Sequence, residues 1–334
     1  RAGVAYWSMA LLKGSYLIWL PAGQGHYETR YPFEVAREYE WKEVCELPIE
    51  DDVPPLPLGM DAPDATRYWP HLPPGPYRAS GDPDAYQSPP RPTAVLRVPE
   101  GKPLAEVRAP RSDGCWMARF EVTSSMYLEY LNDREWHSRC DPPCGDWGHV
   151  PRKAKDARKE TAYWPRSELG KFSLSRGGRD RPVRGVSWTD ATDYCRWLTA
   201  QRGGNEWRFE LPTEDEWERA ARGPDGRFFP WSDHFDPAFC RMGESRPEMD
   251  PQNSEPFGLF PIDESIYGIR DMAGGIRELT STLSGARNEE RVTKGGAWAA
   301  SASYSRSARR ADVTSNNVNA SYGGFRLVAR KVRP

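Results

Sequence analysis

The spacing of apolar residues predicts a helix over residues 190–202. Thr189 precedes this segment and can cap its first turn with its hydroxyl. The apolar residues recur three and four positions apart, as expected when one helical face is buried. They are Ala191, Tyr194, Cys195 and Leu198. We therefore interpret Cys195 as a small buried hydrophobic residue.

Two further helices are predicted by their capping residues. Thr213 and Glu216 have the spacing of a capping box, in which each side chain bonds the other residue's backbone N–H. That helix is expected to run to Arg222 and to end at Gly223, since glycine often follows the last helical turn. The pair Thr123-Ser124 is a possible N-cap for a helix that ends at about residue 132.

Short apolar runs bounded by Gly or Pro predict strands, a pattern typical of buried strands. They lie at residues 15–20, 31–37, 94–98, 117–122 and 207–211. Residues 138–182 are rich in Arg, Lys, Pro and Gly and are expected to form a long surface loop. Few helices among many short strands favour an α+β fold with much irregular structure. Residues 1–60 are expected to form a small β domain with a proline-rich linker, and residues 68–334 a second domain.

Composition narrows the choice of partners. A formal net charge of −2 over 334 residues gives no general attraction to nucleic acid or to an anionic membrane. No apolar run is long enough to span a bilayer. The Arg-rich tail between Arg306 and Arg333 would favour nucleic acid only if it formed one exposed patch. The chain begins at Arg1 rather than Met, so we expect a fragment of a longer protein.

The six cysteines are sparse and irregular, unlike a secreted disulfide framework, which favours reduced thiols and a cytoplasmic setting. One group has the residue types of a zinc site: His137, Cys140, Cys144 and His149. Its spacing matches no common zinc finger, and two prolines stiffen the loop. The alternative is a surface loop whose cysteines are free or paired with each other.

The C-terminal segment has an unusual composition. Residues 299–324 contain no Glu, Lys, Gln, Met or Trp, although these five types account for 60 of the 334 residues. A random window of this length would lack all five about 0.5% of the time. Gly295-Gly296-Ala297-Trp298 precedes the segment, and Gly324-Phe325-Arg326-Leu327 ends it. The segment is therefore the first place to look for function.

Several motifs in this order resemble the formylglycine-generating-enzyme family, also called sulfatase-modifying factors. They are Phe120-Glu121-Val122-Thr123, Pro182-Val183-Arg184-Gly185-Val186-Ser187-Trp188-Thr189-Asp190-Ala191, Leu211-Pro212-Thr213-Glu214-Asp215-Glu216-Trp217-Glu218, Phe229-Pro230-Trp231 and Asp271-Met272-Ala273-Gly274-Gly275-Ile276-Arg277-Glu278. The resemblance covers residues 68–334. It implies an α+β, C-type lectin-like fold with few helices and short strands.

The resemblance does not extend to the catalytic residues. Active members use two copper-binding cysteines, five residues apart, just after the Gly-Gly turn. The matching positions here are Ala300 and Ser305, and neither side chain supplies a thiolate for Cu(I). Iron-dependent relatives need a cluster of histidines, which the five His of this chain do not match. The resemblance therefore implies a protein without the family's oxidase activity.

The family also binds calcium at the turn that matches residues 271–278. Here Asp271 and Glu278 keep carboxylates, and Gly274 and Ile276 could offer backbone carbonyls, a set of hard oxygen ligands that suits Ca²⁺. Gly275 replaces an asparagine of the family pattern. The alternative is that the two carboxylates hydrogen-bond the turn itself, so we expect no cofactor other than a possible calcium ion.

The C-terminal segment also resembles the variable region, about 297–324, of proteins diversified by retroelements. Their mutated codons take the form NNY, which cannot encode the five missing residue types. The resemblance implies variable, ligand-contacting positions at Ala297, Ala299, Ala300, Ser301, Ser303, Tyr304, Ala311, Asp312, Asn317, Asn319, Ser321 and Tyr322. It implies framework positions at Trp298, Arg306, Arg310, Phe325 and Arg326.

Variable residues cannot support the fold, so this resemblance requires them to be exposed. Short polar side chains and tyrosines make adaptable contacts, as in antibody loops. We expect a non-catalytic protein that binds a macromolecule, namely another protein, and neither nucleic acid nor membrane. A polar loop that varies because nothing constrains it would give the same pattern. Another alternative is a sensor or modifying-enzyme domain fused to an upstream Ser/Thr kinase. The strands at residues 14–20 and 31–37 resemble a small β domain that precedes such modules in bacterial kinases.

Overall fold

The computed structural model describes residues 14–20, 29–35, 53–60, 68–72, 75–76, 82, 111–112, 114–138, 149–153, 161–162, 164–174, 178–245, 255–284, 290–314 and 322–332. The strands are β1 (Gly14–Leu20), β2 (Thr29–Val35), β3 (His71–Leu72), β4 (Gly75–Pro76), β5 (Arg111–Ser112), β6 (Cys115–Met117), β7 (Arg152–Lys153), β8 (Thr161–Ala162), β9 (Trp207–Glu210), β10 (Arg277–Leu283), β11 (Glu290–Lys294), β12 (Ala311–Thr314), β13 (Gly323–Gly324) and β14 (Val328–Lys331). The α-helices are α1 (Ser124–Asn132), α2 (Arg134–Ser138), α3 (Trp188–Leu198) and α4 (Glu214–Arg222). Short strands with few helices make the fold α+β, as predicted.

The N-terminal strands form an antiparallel hairpin, with Gly14 opposite Val35. Both predicted strands are confirmed, and their ends differ from the predictions by one or two residues. On β2, Arg30 donates a hydrogen bond to Glu264 at 2.7 Å. This ion pair ties the hairpin to the C-terminal part of the chain. The predicted strand at residues 94–98 lies outside the described residues.

Two four-stranded sheets carry most of the C-terminal part, in the orders β3-β6-β14-β9 and β12-β11-β10-β13. In the second sheet β10 pairs antiparallel with β11 on one side and parallel with β13 on the other. β12 returns beside β11. The chain between Lys294 and Gly323 therefore starts and finishes on strands that flank β10, and this fixes both ends of the segment singled out in the sequence.

The helix caps follow the sequence closely. The Thr123 hydroxyl accepts the Met126 N–H, and Thr213 with Glu216 forms the predicted capping box. The prediction for α3 was wrong in one detail. Ser187, not Thr189, is its N-cap, because Ser187 and Asp190 form a capping box of their own. The helix also ends at residue 198 and continues as one π-helical turn, residues 199–203.

The structure also differs from the predicted elements in regions where short strands and helices lie between irregular segments. The predicted strand at residues 117–122 is wrong, because β6 ends at Met117 and the following residues bond irregular segments. In that stretch the Ala118 and Val122 N–H groups donate to the carbonyls of Leu327 and Phe325. The predicted loop at 138–182 contains the two-residue pairing of β7 with β8. Helix α2 was not predicted, since its five residues are all at least partly exposed and carry no buried face.

An aromatic core joins helices α1 and α3 to the end of the C-terminal segment. Tyr127 stacks on Tyr194 with ring centroids 5.6 Å apart. The Phe325 ring meets Tyr194 edge-on at 5.4 Å, and Trp197 packs against Tyr130 at 5.5 Å. Such offset and edge-to-face pairs stabilise a core beyond the area they bury. Phe325 is completely buried here, so it belongs to the fold and not to an exposed surface.

A buried ion pair joins β10 of one sheet to the chain that leads into β14 of the other sheet. Arg326, with no exposed surface, donates through Nε and Nη2 to the two carboxylate oxygens of Glu278, at 2.6 and 2.7 Å. Its remaining donors bond the carbonyls of Ala118, Arg119 and Arg270. Burial alone would lower the pKa of Arg326, but the Glu278 carboxylate raises it above the usual value. The guanidinium therefore stays charged and connects four segments of chain.

We expect Arg326→Met to lower the free energy of unfolding by about 3–5 kcal/mol, because it leaves the buried Glu278 carboxylate without its partner. Arg330→Met is a matched control. Arg330 also pairs with two carboxylates, but its side chain is 29% exposed, so about 1 kcal/mol is expected. Urea unfolding of both variants measures the difference. Equal losses in the two variants would contradict a special role for Arg326.

Candidate functional site

The C-terminal segment leaves β11 through a turn that requires glycine. Gly295 has φ of +79°, in the left-handed region that other residues rarely adopt. A Cβ on Gly296 would lie 2.4 Å from the Ala273 carbonyl oxygen. The turn therefore packs directly against the loop before β10. The Trp298 N–H then donates to the Gly275 carbonyl at 2.9 Å, which fixes the start of the segment.

The predicted variable positions differ in exposure. Those on the surface are Ala299, Ser301, Ser303 and Tyr322. Those partly exposed are Ala300, Tyr304 and Ala311. Ala297 is buried, with 4% of its surface accessible. It therefore does not meet the exposure expected of a ligand-contacting residue, because it packs in the turn beside Trp298. Asn317, Asn319 and Ser321 lie outside the described residues, and for Asp312 only the backbone, in β12, is described.

The predicted framework residues are buried or nearly so, and each has a defined partner. The Arg306 guanidinium makes two hydrogen bonds to the Asp82 carboxylate, both 2.7 Å long. It also lies over the Phe228 ring at 4.5 Å. The Arg310 guanidinium lies 3.3 Å from a Glu214 carboxylate oxygen. These contacts hold the segment from within, although the partners are far away in the sequence.

The two positions that match the family's cysteines are now placed. Ala300 is partly exposed, and Ser305 is completely buried. The Cys240 thiol lies 3.8 Å from the Ser305 hydroxyl. Burial raises the pKa of Cys240 above its usual value, so this thiol is protonated at neutral pH. Its proximity was not predicted, because 65 residues separate the pair and no local pattern joins them.

The turn proposed for calcium has its carboxylates bonded to protein donors. Both oxygens of Glu278 accept from Arg326, and one also accepts the Trp217 indole N–H at 2.7 Å. An Asp271 oxygen accepts the Gly258 N–H. Gly274 packs against Arg241, while Ile276 is buried. Both Glu278 oxygens and one Asp271 oxygen thus accept from protein donors, as the hydrogen-bonding alternative expects, and the calcium site stays a prediction.

A cluster of buried acids adjoins that turn. Glu121, Asp263 and Asp271 line a small cavity together with Arg241. Neither carboxylate oxygen of Glu121 has a hydrogen-bond partner among the described residues. Burial raises the pKa of Glu121, and the Asp271 charge raises it further. Burial likewise raises the pKa of Asp271 to about 6. The cluster therefore holds protons that an exposed carboxyl group would release.

Two of the four zinc candidates meet in space. The His137 and His149 rings lie 5.8 Å apart, nearly parallel. His149 Nδ1 lies 2.9 Å from an Asp190 oxygen. Cys140 and Cys144 lie outside the described residues, so the zinc alternative stays a prediction. Within the described ranges, no group of three or more His, Cys, Asp or Glu side chains is placed to hold a metal ion.

No helix in the described part of the chain has the length and apolar character needed to cross a bilayer.

Comparisons with known proteins place the fold. A family model described as a sulfatase-modifying factor enzyme 1-like domain matches residues 73–331. The mouse inactive C-alpha-formylglycine-generating enzyme 2 is 29% identical over 280 residues, which cover 72% of this chain and 87% of that protein. The mouse formylglycine-generating enzyme is 30% identical over 265 residues, with 67% and 68% covered.

Shorter and more distant matches agree with this placement. The bovine inactive enzyme 2 is 33% identical over 187 residues, which span 52% of this chain and 58% of that protein. The structure of PvdO from Pseudomonas aeruginosa superposes with a TM-score of 0.51 at 19% identity, and the match covers 78% of this chain and 93% of PvdO. The expected fold is confirmed, and the relatives include proteins named as enzymes and proteins named as inactive.

The acid cluster predicts a pH-dependent stability. An unfolded Asp ionises near pH 4, whereas Asp271 in the folded chain ionises near pH 6. Ionisation of the buried carboxyl therefore reduces stability as the pH rises from about 4 to 6. Asp271→Asn removes this cost, and Asn tolerates the positive φ of the position.

We expect Asp271→Asn to be more stable than the parent at pH 8, by about 3 kcal/mol for a shift of about two pKa units. The gain should shrink as the pH falls from 6 to 4. Urea unfolding at several pH values measures it, with Asp233→Asn, on the surface, as a control without such a trend. A gain that is independent of pH, or a loss at pH 8, would contradict the prediction.

Proposed function

Since this chain belongs to the sulfatase-modifying factor family, we propose that it is a non-catalytic member that binds another protein through its C-terminal segment. The binding face comprises the exposed and partly exposed residues of 299–311 together with Tyr322. Residues 317–321 of the expected variable region belong to the same proposal on sequence grounds. The proposed ligand differs among sibling proteins, because this face is the part that a retroelement would rewrite.

The observation that carries the proposal is the division of one short segment into an exposed set and a buried set. Ser301 and Ser303 face solvent, whereas Trp298, Arg309 and Arg310 are buried. Residues that contact solvent can change without cost to the fold, while those that pack cannot. Support for a codon-level cause comes from the absence of the same five residue types over 299–324.

The non-catalytic part of the proposal has its own support. The family's oxidase reaction needs two thiolates that bind copper, and the matching positions hold Ala300 and Ser305. Cys240, near Ser305, is buried with a raised pKa, and a protonated buried thiol is a poor ligand for Cu(I). It does not replace the missing pair.

A second candidate function is favoured by relatives named as formylglycine-generating enzymes. In that case the domain would modify a substrate with other residues, or act as the sensor of a kinase. Incubation with copper and a cysteine-containing sulfatase-type peptide separates the enzyme from the binding protein. Mass spectrometry should show no formylglycine, and its appearance would overturn the non-catalytic proposal.

The gene neighbourhood gives an independent prediction. We expect a reverse transcriptase gene nearby, with a near-copy of codons 297–324 that carries adenines where the two copies differ. Sequencing of the locus from several isolates measures this directly. If no template exists, and isolates differ no more in this segment than elsewhere, diversification is excluded and a constant binding face remains.

The division into exposed and buried positions predicts how the segment tolerates substitution. Ala299→Tyr adds a ring on the surface and should change the free energy of unfolding by less than about 0.5 kcal/mol. Ala297→Tyr is the matched change at a buried position two residues away, and overpacking should cost about 1–3 kcal/mol. Phe325→Ala should cost about 3–5 kcal/mol, because the ring lies in the aromatic core.

Urea unfolding of the three variants at one pH measures the series. The same set serves in binding assays, since Ala299→Tyr changes the face without changing the fold. Comparable losses for Ala297→Tyr and Ala299→Tyr would contradict the assignment of exposed and buried positions.

A further inference from the structure

A row of arginines and aromatic rings borders the proposed binding face. Arg184 lies over the Trp298 ring at 5.1 Å, and Trp298 packs against Tyr322 with centroids 4.9 Å apart. The Tyr322 carbonyl accepts the Arg277 N–H at 2.8 Å. This places the first residue of β10 directly beside the end of the segment.

The row continues from Arg277 into the first half of the segment. The Arg277 guanidinium lies 5.2 Å from the centre of the Tyr304 ring, and the Arg309 guanidinium lies 4.0 Å from it. One tyrosine ring thus has two guanidinium groups against it. The complete row is Arg184, Trp298, Tyr322, Arg277, Tyr304 and Arg309, and we call it the arginine–aromatic row.

Charge along this row is of one sign. Among the described residues, Arg277 has no ion pair with a carboxylate, and its electrostatic neighbours are Arg309 and Tyr304. The Arg277 and Arg309 guanidinium groups lie against the same Tyr304 ring and carry like charges. An anion placed beside Arg277 would therefore be stabilised by attraction and would relieve this repulsion.

We propose that the binding face recognises an acidic segment of a partner protein, with Arg277 as a fixed contact for an Asp or Glu carboxylate. This inference rests on the proposed function and names the chemistry of its ligand. Arg, Tyr and Trp are the residues that dominate protein interfaces. A guanidinium binds a carboxylate through two parallel hydrogen bonds, while the adjacent rings supply apolar contact.

A nucleic acid would also present anions, but the row suits it less well. Affinity for a polyanion comes from many phosphate contacts spread over an extended basic surface. The chain carries a formal net charge of −2, and within the row only Arg184 and Arg277 are partly exposed arginines, because Arg309 is buried. A few carboxylates within a peptide match this number of charges better.

The test is a selection from a displayed library of random 12-residue peptides on the immobilised full chain. We expect the selected peptides to be enriched in Asp and Glu relative to the unselected library. The best peptide should bind Arg277→Gln about tenfold more weakly than the parent, and Arg277→Lys should recover part of the loss by keeping the charge. Arg196→Gln, at an exposed arginine of α3, is the matched control and should bind like the parent.

Ala299→Tyr separates this inference from the function on which it rests. Suppose that the selected peptides bind Ala299→Tyr more weakly than the parent. If they then show no enrichment in Asp and Glu, or bind Arg277→Gln as tightly as the parent, the binding face is supported and the acidic ligand is overturned. If the selected peptides bind Ala299→Tyr as tightly as the parent, or if the selection yields no peptide, the proposed binding face itself is contradicted. Tighter binding of a 12-nucleotide oligothymidylate than of any selected peptide would also overturn the proposal.

Discussion

This fold depends on one constraint, which is that a charged side chain buried away from water needs a partner of opposite charge. Arg326 is completely buried, and its donors bond Glu278 and three backbone carbonyls from two separate stretches of chain. Short strands cannot supply enough ladder hydrogen bonds to fix so much irregular chain. One pre-organised guanidinium with five donors does this at a single point. This ion pair therefore positions β10, which follows the turn at Gly275, together with β13 and β14 on either side of Arg326. The proposed binding face adjoins these strands.

Local signals in the sequence predicted local structure well. Thr213 and Glu216 form the expected capping box because both partners lie within one helical turn. Ser187 was missed for a similar reason. The run Ser187-Trp188-Thr189-Asp190 offers two hydroxyl caps, and only the folded chain shows that the Asp190 carboxylate closes the box with the first. Capping chemistry therefore located the helices to within a turn and left the choice between neighbouring caps open.

The framework positions of the candidate site come from the resemblance to variable proteins rather than from a local pattern. Trp298, Arg310, Phe325 and Arg326 are buried in the structure. The partners themselves were not predictable, since Arg306 bonds Asp82 across 224 residues and Cys240 reaches Ser305 across 65. The burial of Ala297 was not expected, because its small side chain carries no signal of burial. The glycine turn around it, where a Cβ on Gly296 would meet the Ala273 carbonyl, decides its environment.

The backbone of the proposed binding face is held by residues of the same segment. Arg306 and Arg310 form ion pairs with carboxylates beneath the surface, while Ser301 and Ser303, only a few positions earlier, face solvent. Because holding and contacting residues alternate so closely, a change in one contact leaves its neighbours anchored on both sides. A face built in this way can vary its chemistry without moving its backbone. Under the proposed function, contacts from outside the segment, such as Arg277 on β10, would remain constant while the rest of the face changes, and the proposed charge preference would then be shared by every variant.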